Sequence, residues 1–541
     1  MLDRISFEAL EEGSPLFRGY VKASDIVKPW YGGFWTDEAF VRDTAKQIQT
    51  RSYKRGELVE ALKRQHQAHW APPEALAQVE ALGQPNSLVI LTGQQAGLLG
   101  GPLYTWFKAL TAIKVAKDWS KRLGCPVVPV FWIAADDHDA AEITHFEILD
   151  KDHSLREMTY HPGKETVGLP ACRIPLNTQF GELWPALEEG FPPSEFRAGL
   201  LEAAKTCYAP GRTMVTAFAA WLTHWFGKLG LVVVDPSDPA IKRLAVDLFL
   251  TELEEHPKSR HVYDERTKAL VATGVTPQIH LPPDVLNLMW MEHKRQPMRM
   301  RQGAIEMDHE PAPFNPQELK EQVRKSPEKV SPNVLLNPLY QDTVFPALAH
   351  IVGPSETAYF AQVLPLYARF GMTAPVLVPR WSATLMSQRA MSAMEDLGLE
   401  PLEVLRGEEQ AFKQVKSHAV PEAVSQSVER ARKVINSSLE ELEREVKNYD
   451  AGLTAMVSRA RSGFEASLSK LDEKLGTSAE RQSEVLGRKM AYVRHLLRPH
   501  GMLQERVLNI TTFMVRHGFD LTERLADQFP EDLADHYLVK L

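Results

Sequence analysis

The chain has 541 residues, of which 24% are charged and 44% hydrophobic, and its formal net charge is −8. This length is too great for one hydrophobic core, so we expect three domains or subdomains. The negative charge and the lack of a basic stretch disfavour nucleic acid as a main partner. The three cysteines include no C-x-x-C pair, which supports neither a disulfide framework nor a cysteine-rich zinc site, and no metal site is predicted.

The first residues lack a basic segment followed by an apolar core, and no run of eighteen apolar residues occurs anywhere. Secretion signals and membrane-spanning helices require those features. We therefore expect a soluble, cytoplasmic protein that does not bind membranes.

Short apolar runs alternate with amphipathic helical patterns over residues 1–390, the predicted catalytic core. Two stretches, about 145–190 and 275–325, instead have the alternation of β-rich insertions. The order of the remaining elements predicts a parallel sheet wrapped by helices, with ligands at the carboxyl ends of its strands. Strands are predicted over 87–92, 127–134, 231–235, 347–352 and 375–379, and helices over 102–119, 239–254 and 355–370.

A glycine-rich loop follows the first predicted strand, with the sequence TGQQAGLLGGP from Thr92 to Pro102. Glycines permit close approach of the backbone to a ligand, and free N–H groups at the start of the next helix favour an anion. The spacing is neither that of a P-loop nor that of a dinucleotide fingerprint, so a structural turn is the alternative. The candidates for substrate binding are Thr92, Gly93, Gln94, Gln95 and Gly97.

An acidic loop follows the second predicted strand and contains Asp136, Asp137, His138 and Asp139. Buried together, three carboxylates would repel one another unless a metal, an ammonium group or a proton transfer balanced them. The alternative is a solvated turn in which Asp139 caps the next helix. His138 could act as a base, a hydrogen-bond donor or a metal ligand. Asp235 ends the third strand, where it could bind a ligand or cap a helix.

The C-terminal third has the repeat of a coiled coil. A seam from Ile435 to Leu475 predicts one long helix over about 424–475, a turn at Gly476 and a shorter return helix. Because the return helix would leave part of the seam uncovered, we expect residues 391–500 to form a homodimer. The alternative is a hairpin packed back on its own core. Residues 501–541 are predicted to pack back on the catalytic core.

Longer motifs identify a family. The segments TGQQAG…GGPLYT and PVFWIAADDHDAAE are followed in order by LVVVDPSD, SPNVLLNPLYQD, HIVGPSETAYF, APVLVPR and RPHGMLQERVLN. Together they resemble the BshC family of cysteine ligases of bacillithiol biosynthesis, along essentially the whole chain. The resemblance implies an α/β fold, with a Rossmann-like parallel sheet core, connecting-peptide insertions and a C-terminal α-helical coiled coil. The chain departs from the family at Asp136, where Glu is usual, and at Asn337, where Arg is usual; Arg380 or Lys329 could compensate for the second change.

The resemblance implies a ligase that joins L-cysteine to the amine of glucosaminyl-malate, the last step of bacillithiol biosynthesis. A carboxylate needs activation before an amine can attack it, so ATP or ADP with Mg²⁺ is the candidate cofactor, although no nucleotide motif has the required spacing. The alternatives are a nucleotidyltransferase-like enzyme that makes an activated intermediate, and a non-catalytic coiled-coil scaffold that binds a metabolite. The predicted catalytic residues are Asp136, Asp137 and His138, and Asp139 and Asp235 join the glycine-rich loop in substrate binding.

Overall fold

The computed structural model describes residues 3–308, 312–407, 420–482 and 484–541. Its strands are β1 (Asp3–Ser6), β2 (Leu88–Gln94), β3 (Val127–Ile133), β4 (His145–Leu149), β5 (Leu155–Thr159), β6 (Val232–Val234), β7 (Val285–Trp290), β8 (Gln296–Arg301), β9 (Ala304–Glu306), β10 (Val330–Pro332), β11 (Ala347–Val352), β12 (Val376–Pro379), β13 (Ser382–Met386) and β14 (Asp535–Lys540).

The helices up to the end of the sheet are α1 (Pro15–Val21), α2 (Lys28–Tyr31), α3 (Glu38–Gln49), α4 (Arg55–Ala68), α5 (Pro73–Ala81), α6 (Tyr104–Leu123), α7 (Ala140–Ile143), α8 (Leu183–Gly190), α9 (Arg197–Cys207), α10 (Met214–Phe226), α11 (Pro239–Leu244), α12 (Val246–Ala272), α13 (Pro316–Lys325), α14 (Asn337–Val344) and α15 (Pro354–Arg369). They are followed by α16 (Gln388–Leu397), α17 (Pro401–Arg406), α18 (Glu422–Tyr449), α19 (Thr454–Gln482), α20 (Glu484–Leu497), α21 (Gln504–Val507), α22 (Thr511–His517) and α23 (Leu521–Asp527). Among these helices, none combines the length and the apolar composition that crossing a membrane requires.

The central sheet has five parallel strands in the order β12-β11-β2-β3-β6. The chain enters at β2, moves outward through β3 to β6, and then returns to the other side of β2 for β11 and β12. This is the doubly wound order of a Rossmann-like fold, and its switch point lies between β2 and β11. The α/β fold class expected from the sequence is confirmed.

Helices on both faces of the sheet explain its composition. Every residue of β3 and β11 is buried, as expected for parallel strands covered on both sides. The helix α6 buries twelve of its twenty residues and ends at Gly124, which adopts the left-handed conformation (φ 67°, ψ 27°) that glycine tolerates best. The sheet is therefore a rigid platform for the loops at its carboxyl edge.

Antiparallel strands interrupt the alternation. The strands β4 and β5 form a hairpin, and β10, β7, β8 and β9 form a four-stranded sheet in that order. By its contacts the chain divides into two compact units. One consists of Met1–Thr384 with Glu505–Val539, and the other of Leu385–Gln504 with Lys540–Leu541.

The second unit contains an antiparallel helical hairpin formed by α18 and α19. The chain turns at Asp450, which is extended (φ −154°, ψ 105°) and accepts a hydrogen bond from the Gly452 N–H at 2.8 Å. The prediction of one helix over 424–475 with a turn at Gly476 is therefore wrong, because α19 continues through Gly476. Across the hairpin, the guanidinium of Arg432 pairs with the carboxylates of Glu465 and Asp472.

Candidate active site

A cleft of about 550 Å³ opens at the switch point of the sheet. The carboxyl ends of β2 and β11 diverge there, as expected for ligand sites in doubly wound folds. Polar and charged side chains line this cleft: Thr92, Gln94, Gln95, Tyr104, Lys108, Asp137, Glu142, Asn337, Gln341, His350, Ser355, Glu356, Tyr359, Arg380 and Arg506.

Four of the five candidates from the glycine-rich loop lie in the cleft, namely Thr92, Gly93, Gln94 and Gln95. Gln95 donates a hydrogen bond to Asp137 at 2.8 Å, which joins the two predicted loops. A side chain at Gly93 would lie 2.6 Å from the carbonyl oxygen of Trp132, so only glycine fits at that position. The two loops expected to form one site do meet.

Gly97 lies outside the cleft lining. Its φ is −66°, and a Cβ atom there would lie 2.9 Å from Cα of Gly101. Packing of the loop against itself therefore explains this glycine. The loop carbonyls of Leu99 and Gly101 accept hydrogen bonds from the buried Asn509 side chain at 3.1 and 2.7 Å, and the Leu99 N–H donates to Tyr208 at 2.8 Å.

The acidic loop contributes Asp137 to the cleft. Its carboxylate accepts hydrogen bonds from Gln95 and from the His138 N–H, and it lies 3.7 Å from the guanidinium of Arg295. The side chain of His138 is 44% exposed and does not line the cleft. Asp139 is exposed, and its carboxylate accepts a hydrogen bond from the Glu142 N–H at the start of α7, as the helix-cap alternative predicts.

Asp136 lies outside the cleft lining and pairs with the fully buried ammonium of Lys242. Lys242 also donates to the carbonyl of Val330 at 2.8 Å. An ammonium group from the protein itself therefore balances the charge of this carboxylate. The other carboxylate oxygen of Asp136 is buried without a hydrogen-bond partner among the described residues.

Asp235, at the end of β6, also lies outside the cleft lining. Its carboxylate accepts hydrogen bonds from the N–H and hydroxyl of Ser237 at 2.9 and 2.6 Å. The pKa of Asp235 is raised from 3.8 to about 6, mainly by burial and also by the nearby Asp136 and Asp238 carboxylates, against the effect of the Ser237 bonds. Burial, with the charges of Asp136 and Asp235, raises the pKa of the Cys172 thiol to about 12, so this cysteine stays protonated at neutral pH.

A buried lysine organises the floor of the cleft. The Lys108 ammonium donates to the carbonyl of Gly93 at 2.8 Å, to the side-chain oxygen of Gln94 at 3.0 Å and to the carboxylate of Glu356 at 2.9 Å. Burial lowers the pKa of Lys108, and the Glu356 carboxylate opposes that shift. Glu356 also accepts from the Gly353 N–H at 2.6 Å, so one ion pair ties α6 to the start of α15.

Two arginines line another part of the cleft. Arg380 donates to Glu505 at 2.6 Å and lies 5.5 Å from the centre of the Tyr104 ring. Burial raises the pKa of Glu505, but the Arg380 guanidinium, His536 and the hydrogen bond from the Ala383 N–H together lower it more, so the pKa lies below its usual value. Asn337 lines the same cleft as Arg380 and Arg506, so compensation by Arg380 stays a prediction. Lys329, the other candidate, pairs with Glu292 and is not part of the lining.

His350 completes the floor. Its imidazole Nε2 donates to the carboxylate of Asp342 at 2.6 Å, and the other oxygen of that carboxylate accepts from the Tyr367 hydroxyl at 2.8 Å. All three side chains are buried.

Sequence reasoning missed Lys108, Glu356, His350 and Arg506 as site residues. Lys108 lies in the middle of a helix and His350 in the middle of a strand, where no local pattern separates a cleft residue from a core residue. Glu356 gave a usable signal, because it follows the Gly-Pro that starts a helix after a predicted strand. Among the described residues, no three His, Cys, Asp or Glu side chains are grouped as a metal site would need.

Comparison with known proteins assigns the whole chain. The model of the N-terminal Rossmann-like domain of bacillithiol biosynthesis BshC matches residues 2–381, and that of the C-terminal coiled-coil domain matches residues 383–541. A protein from Geobacillus thermodenitrificans named "Putative cysteine ligase BshC" is 32% identical over 519 residues, which cover 94% of each chain. A protein of the same name from Salinibacter ruber is 29% identical over 532 residues, which cover 97% of this chain and 96% of that one. The chain belongs to the BshC family of bacillithiol biosynthesis.

Proposed function

We propose that the protein is an amide ligase that joins L-cysteine to the amine of glucosaminyl-malate. The observation that carries this proposal is a single cleft, at the switch point of the sheet, in which carboxylates and cations face the same space. The named relatives support a cysteine ligase, and both substrates of the proposed reaction carry ammonium and carboxylate groups.

The carboxylates suit the amines. Asp137, Glu142 and Glu356 line the cleft, and each can accept hydrogen bonds from an ammonium group. Glu356 already shares its charge with Lys108, and Asp137 lies 3.7 Å from the Arg295 guanidinium. Glu142 forms no ion pair among the described residues, so it has the most capacity for a substrate ammonium. We assign the ammonium group of L-cysteine to this side of the cleft.

The cations suit carboxylates and phosphates. Arg380 and Arg506 line the cleft, and planar guanidinium groups bind both kinds of anion through paired hydrogen bonds. Arg380 already pairs with Glu505, so we assign the anion mainly to Arg506. Activation of the cysteine carboxylate requires an acyl phosphate or an acyl adenylate, and we propose a nucleoside triphosphate as its source. Fixed cations next to the reacting carboxyl would stabilise the negative charge that develops as the amine attacks.

The proposal is tested by incubating the purified chain with L-cysteine, glucosaminyl-malate, ATP and Mg²⁺ and analysing the products by mass spectrometry. We expect the cysteinyl amide and hydrolysed nucleotide in equal amounts. Omission of the sugar substrate separates the alternatives. A nucleotidyltransferase-like enzyme would accumulate an activated cysteine in its absence and form no amide in its presence. A binding scaffold would give neither product, and either result would refute the ligase assignment.

A further inference from the structure

The side chain of His350 is held more firmly than that of His138, the histidine that the sequence predicts to be catalytic. Its residue is only 4% exposed and lies on β11, between β12 and β2 of the five-stranded sheet. His138 lies on a loop, outside the cleft lining. The ring of Phe360 meets the His350 imidazole edge-on, with ring centroids 5.4 Å apart. The backbone, the carboxylate of Asp342 and this aromatic contact all fix the orientation of the imidazole.

The hydrogen bonds of His350 also fix its tautomer. An ionised carboxylate only accepts hydrogen bonds, so Asp342 requires a proton on Nε2 and leaves the lone pair of a neutral imidazole on Nδ1. The Tyr367 hydroxyl occupies the second carboxylate oxygen and holds Asp342 in place. Within the part of the chain that the structure describes, no group hydrogen-bonds to Nδ1, and His350 lines the cleft. The basic nitrogen therefore has access to the cleft.

We infer that His350 is the general base of amide formation and that its Nδ1 takes a proton from the amine of the sugar substrate. This inference rests on the ligase activity proposed above. Geometry supports it, since an oriented imidazole with a free lone pair at the floor of a cleft meets the requirements for a base. Asp342 is then a positioning residue, which orients the ring and stabilises the imidazolium that forms.

The step balances as follows. The substrate ammonium loses one proton to His350 Nδ1, and the resulting amine attacks the carbonyl carbon of the activated cysteine. The C–N bond forms, the bond from that carbon to the phosphate oxygen breaks, and the second nitrogen proton goes to the departing phosphate. His350 then releases its proton to solvent. The activating group comes from a nucleoside triphosphate, as in the proposed ligase reaction.

The test compares wild type with His350→Ala in the amide-forming assay. We expect kcat to fall by roughly 100-fold or more, as for loss of a general base, with a much smaller change in KM. Added imidazole should restore at least a tenth of the lost rate by entering the space that the side chain leaves. His280→Ala, at an exposed site, serves as the control for the loss of a histidine.

Two further variants keep the result decisive. If His350→Ala does not fold, His350→Gln replaces it under the same requirement on kcat. Asp342→Asn should lower kcat without loss of substrate binding, because a neutral amide cannot stabilise the imidazolium. If the wild type forms the amide and a His350 variant retains a kcat within threefold of the wild-type value, the inference about His350 is overturned and the ligase assignment stands. The inference is also overturned if His138→Ala, and not the His350 variant, loses activity and is rescued by imidazole. If the wild type forms no amide, both proposals are refuted.

Discussion

Neighbouring residues of the acidic loop have very different surroundings. Asp136 pairs with a buried lysine, Asp137 faces the cleft, His138 is partly exposed and Asp139 caps a helix. The loop follows a strand and turns sharply, so successive side chains leave in different directions. The charge repulsion expected from the sequence is thus relieved by separation as well as by ion pairing, and substitutions at these positions should have separate effects.

Asp137 is the member of this loop whose substitution we expect to affect catalysis most directly. Asp137→Asn removes the negative charge that faces the cleft but keeps a side chain of the same shape. We expect kcat/KM to fall at least tenfold, while the free energy of unfolding changes by less than about 2 kcal/mol, because the residue is not packed in a core. Steady-state kinetics and thermal melts measure the two effects. Asp152→Asn, on an exposed turn, is the matched control, and equal activity of both variants would exclude a role for Asp137.

Asp235 allows a prediction of pH dependence. Its pKa is about 6 in the folded protein, above 3.8, so the folded state holds this proton more tightly than the unfolded state. Its stabilising contribution is therefore complete below pH 3.8 and is lost as the pH rises through about 6. The shift corresponds to roughly 3 kcal/mol at most.

We expect Asp235→Asn to raise the melting temperature at pH 8, since it removes the buried charge and can still accept hydrogen bonds from Ser237. The difference from wild type should shrink toward zero at pH 4. Calorimetric melts at both values measure it, with the exposed Asp25→Asn as control. A variant that is less stable than wild type at pH 8 would show that the ionised carboxylate is stabilised by a group other than Ser237.

From the sequence, site residues could be predicted only in the loops that directly follow predicted strands. Gln95 and Asp137 were found because loops at adjacent parallel strands must meet. Lys108 was not, because its burial results from α6 packing on the sheet and its partner Glu356 is 248 residues away. Contacts over that distance depend on strand order, which the motifs alone do not specify.

The glycine-rich loop acts as a packed element as well as a binding surface. Residues 92–95 face the cleft, whereas the part from Gly97 to Gly101 is buried. Asn509 satisfies carbonyl groups in this second part, and the left-handed conformation of Leu99 (φ 48°), a non-glycine residue, requires such support. The shape of the binding part therefore depends on packing behind it.

Gly97→Ala tests this dependence. The added methyl group would meet backbone atoms of Gly101, which cannot move aside as a flexible side chain would. We expect the variant to lose about 1 to 3 kcal/mol of stability from overpacking, and to weaken substrate binding only as a consequence. Gly56→Ala, in α4 with open space around it, is the control and should not destabilise the protein. If the melting temperature of the variant is unchanged and calorimetric titration shows that substrate affinity is lost, Gly97 would instead contact the substrate directly.

The elements themselves were predicted unequally well. The five predicted strands correspond to β2, β3, β6, β11 and β12, because buried parallel strands are continuous apolar runs. The coiled coil was identified by its heptads, but its turn was missed. Both arms of the hairpin carry a seven-residue repeat, so the apolar pattern of the sequence does not stop at the turn at Asp450. After the turn a different set of positions is buried: Val457 is buried, whereas Met456, which the predicted seam included, is 62% exposed. The Asp-Ala-Gly sequence at 450–452 was the local signal for this turn.

At the scale of the whole molecule, the closed hairpin changes the argument for a dimer. The seam no longer needs a partner chain along its full length, since α18 and α19 pack against each other and Leu439 is buried. Large apolar side chains nevertheless remain exposed in the described residues of the hairpin: Val424, Val434, Leu442, Tyr449, Leu453, Met456, Phe464 and Leu471. Leu442 and Tyr449 are seven residues apart and so lie on the same face of α18. Phe464 and Leu471 lie on the same face of α19 for the same reason.

We predict that these exposed stripes form the contact of a homodimer. Light scattering should give twice the chain mass for the wild type at micromolar concentration. Leu442→Glu combined with Phe464→Glu places charges on both stripes without touching the interior of the hairpin, where Arg432 pairs with Glu465, and should produce monomers with unchanged helical content. The double variant Ser438→Glu with Ser462→Glu introduces the same charge at exposed polar positions of the same helices and should remain dimeric. A wild type that is monomeric, or a Leu442 and Phe464 variant that stays dimeric, would mean that the hairpin is sufficient without a partner and that its exposed apolar residues have another role.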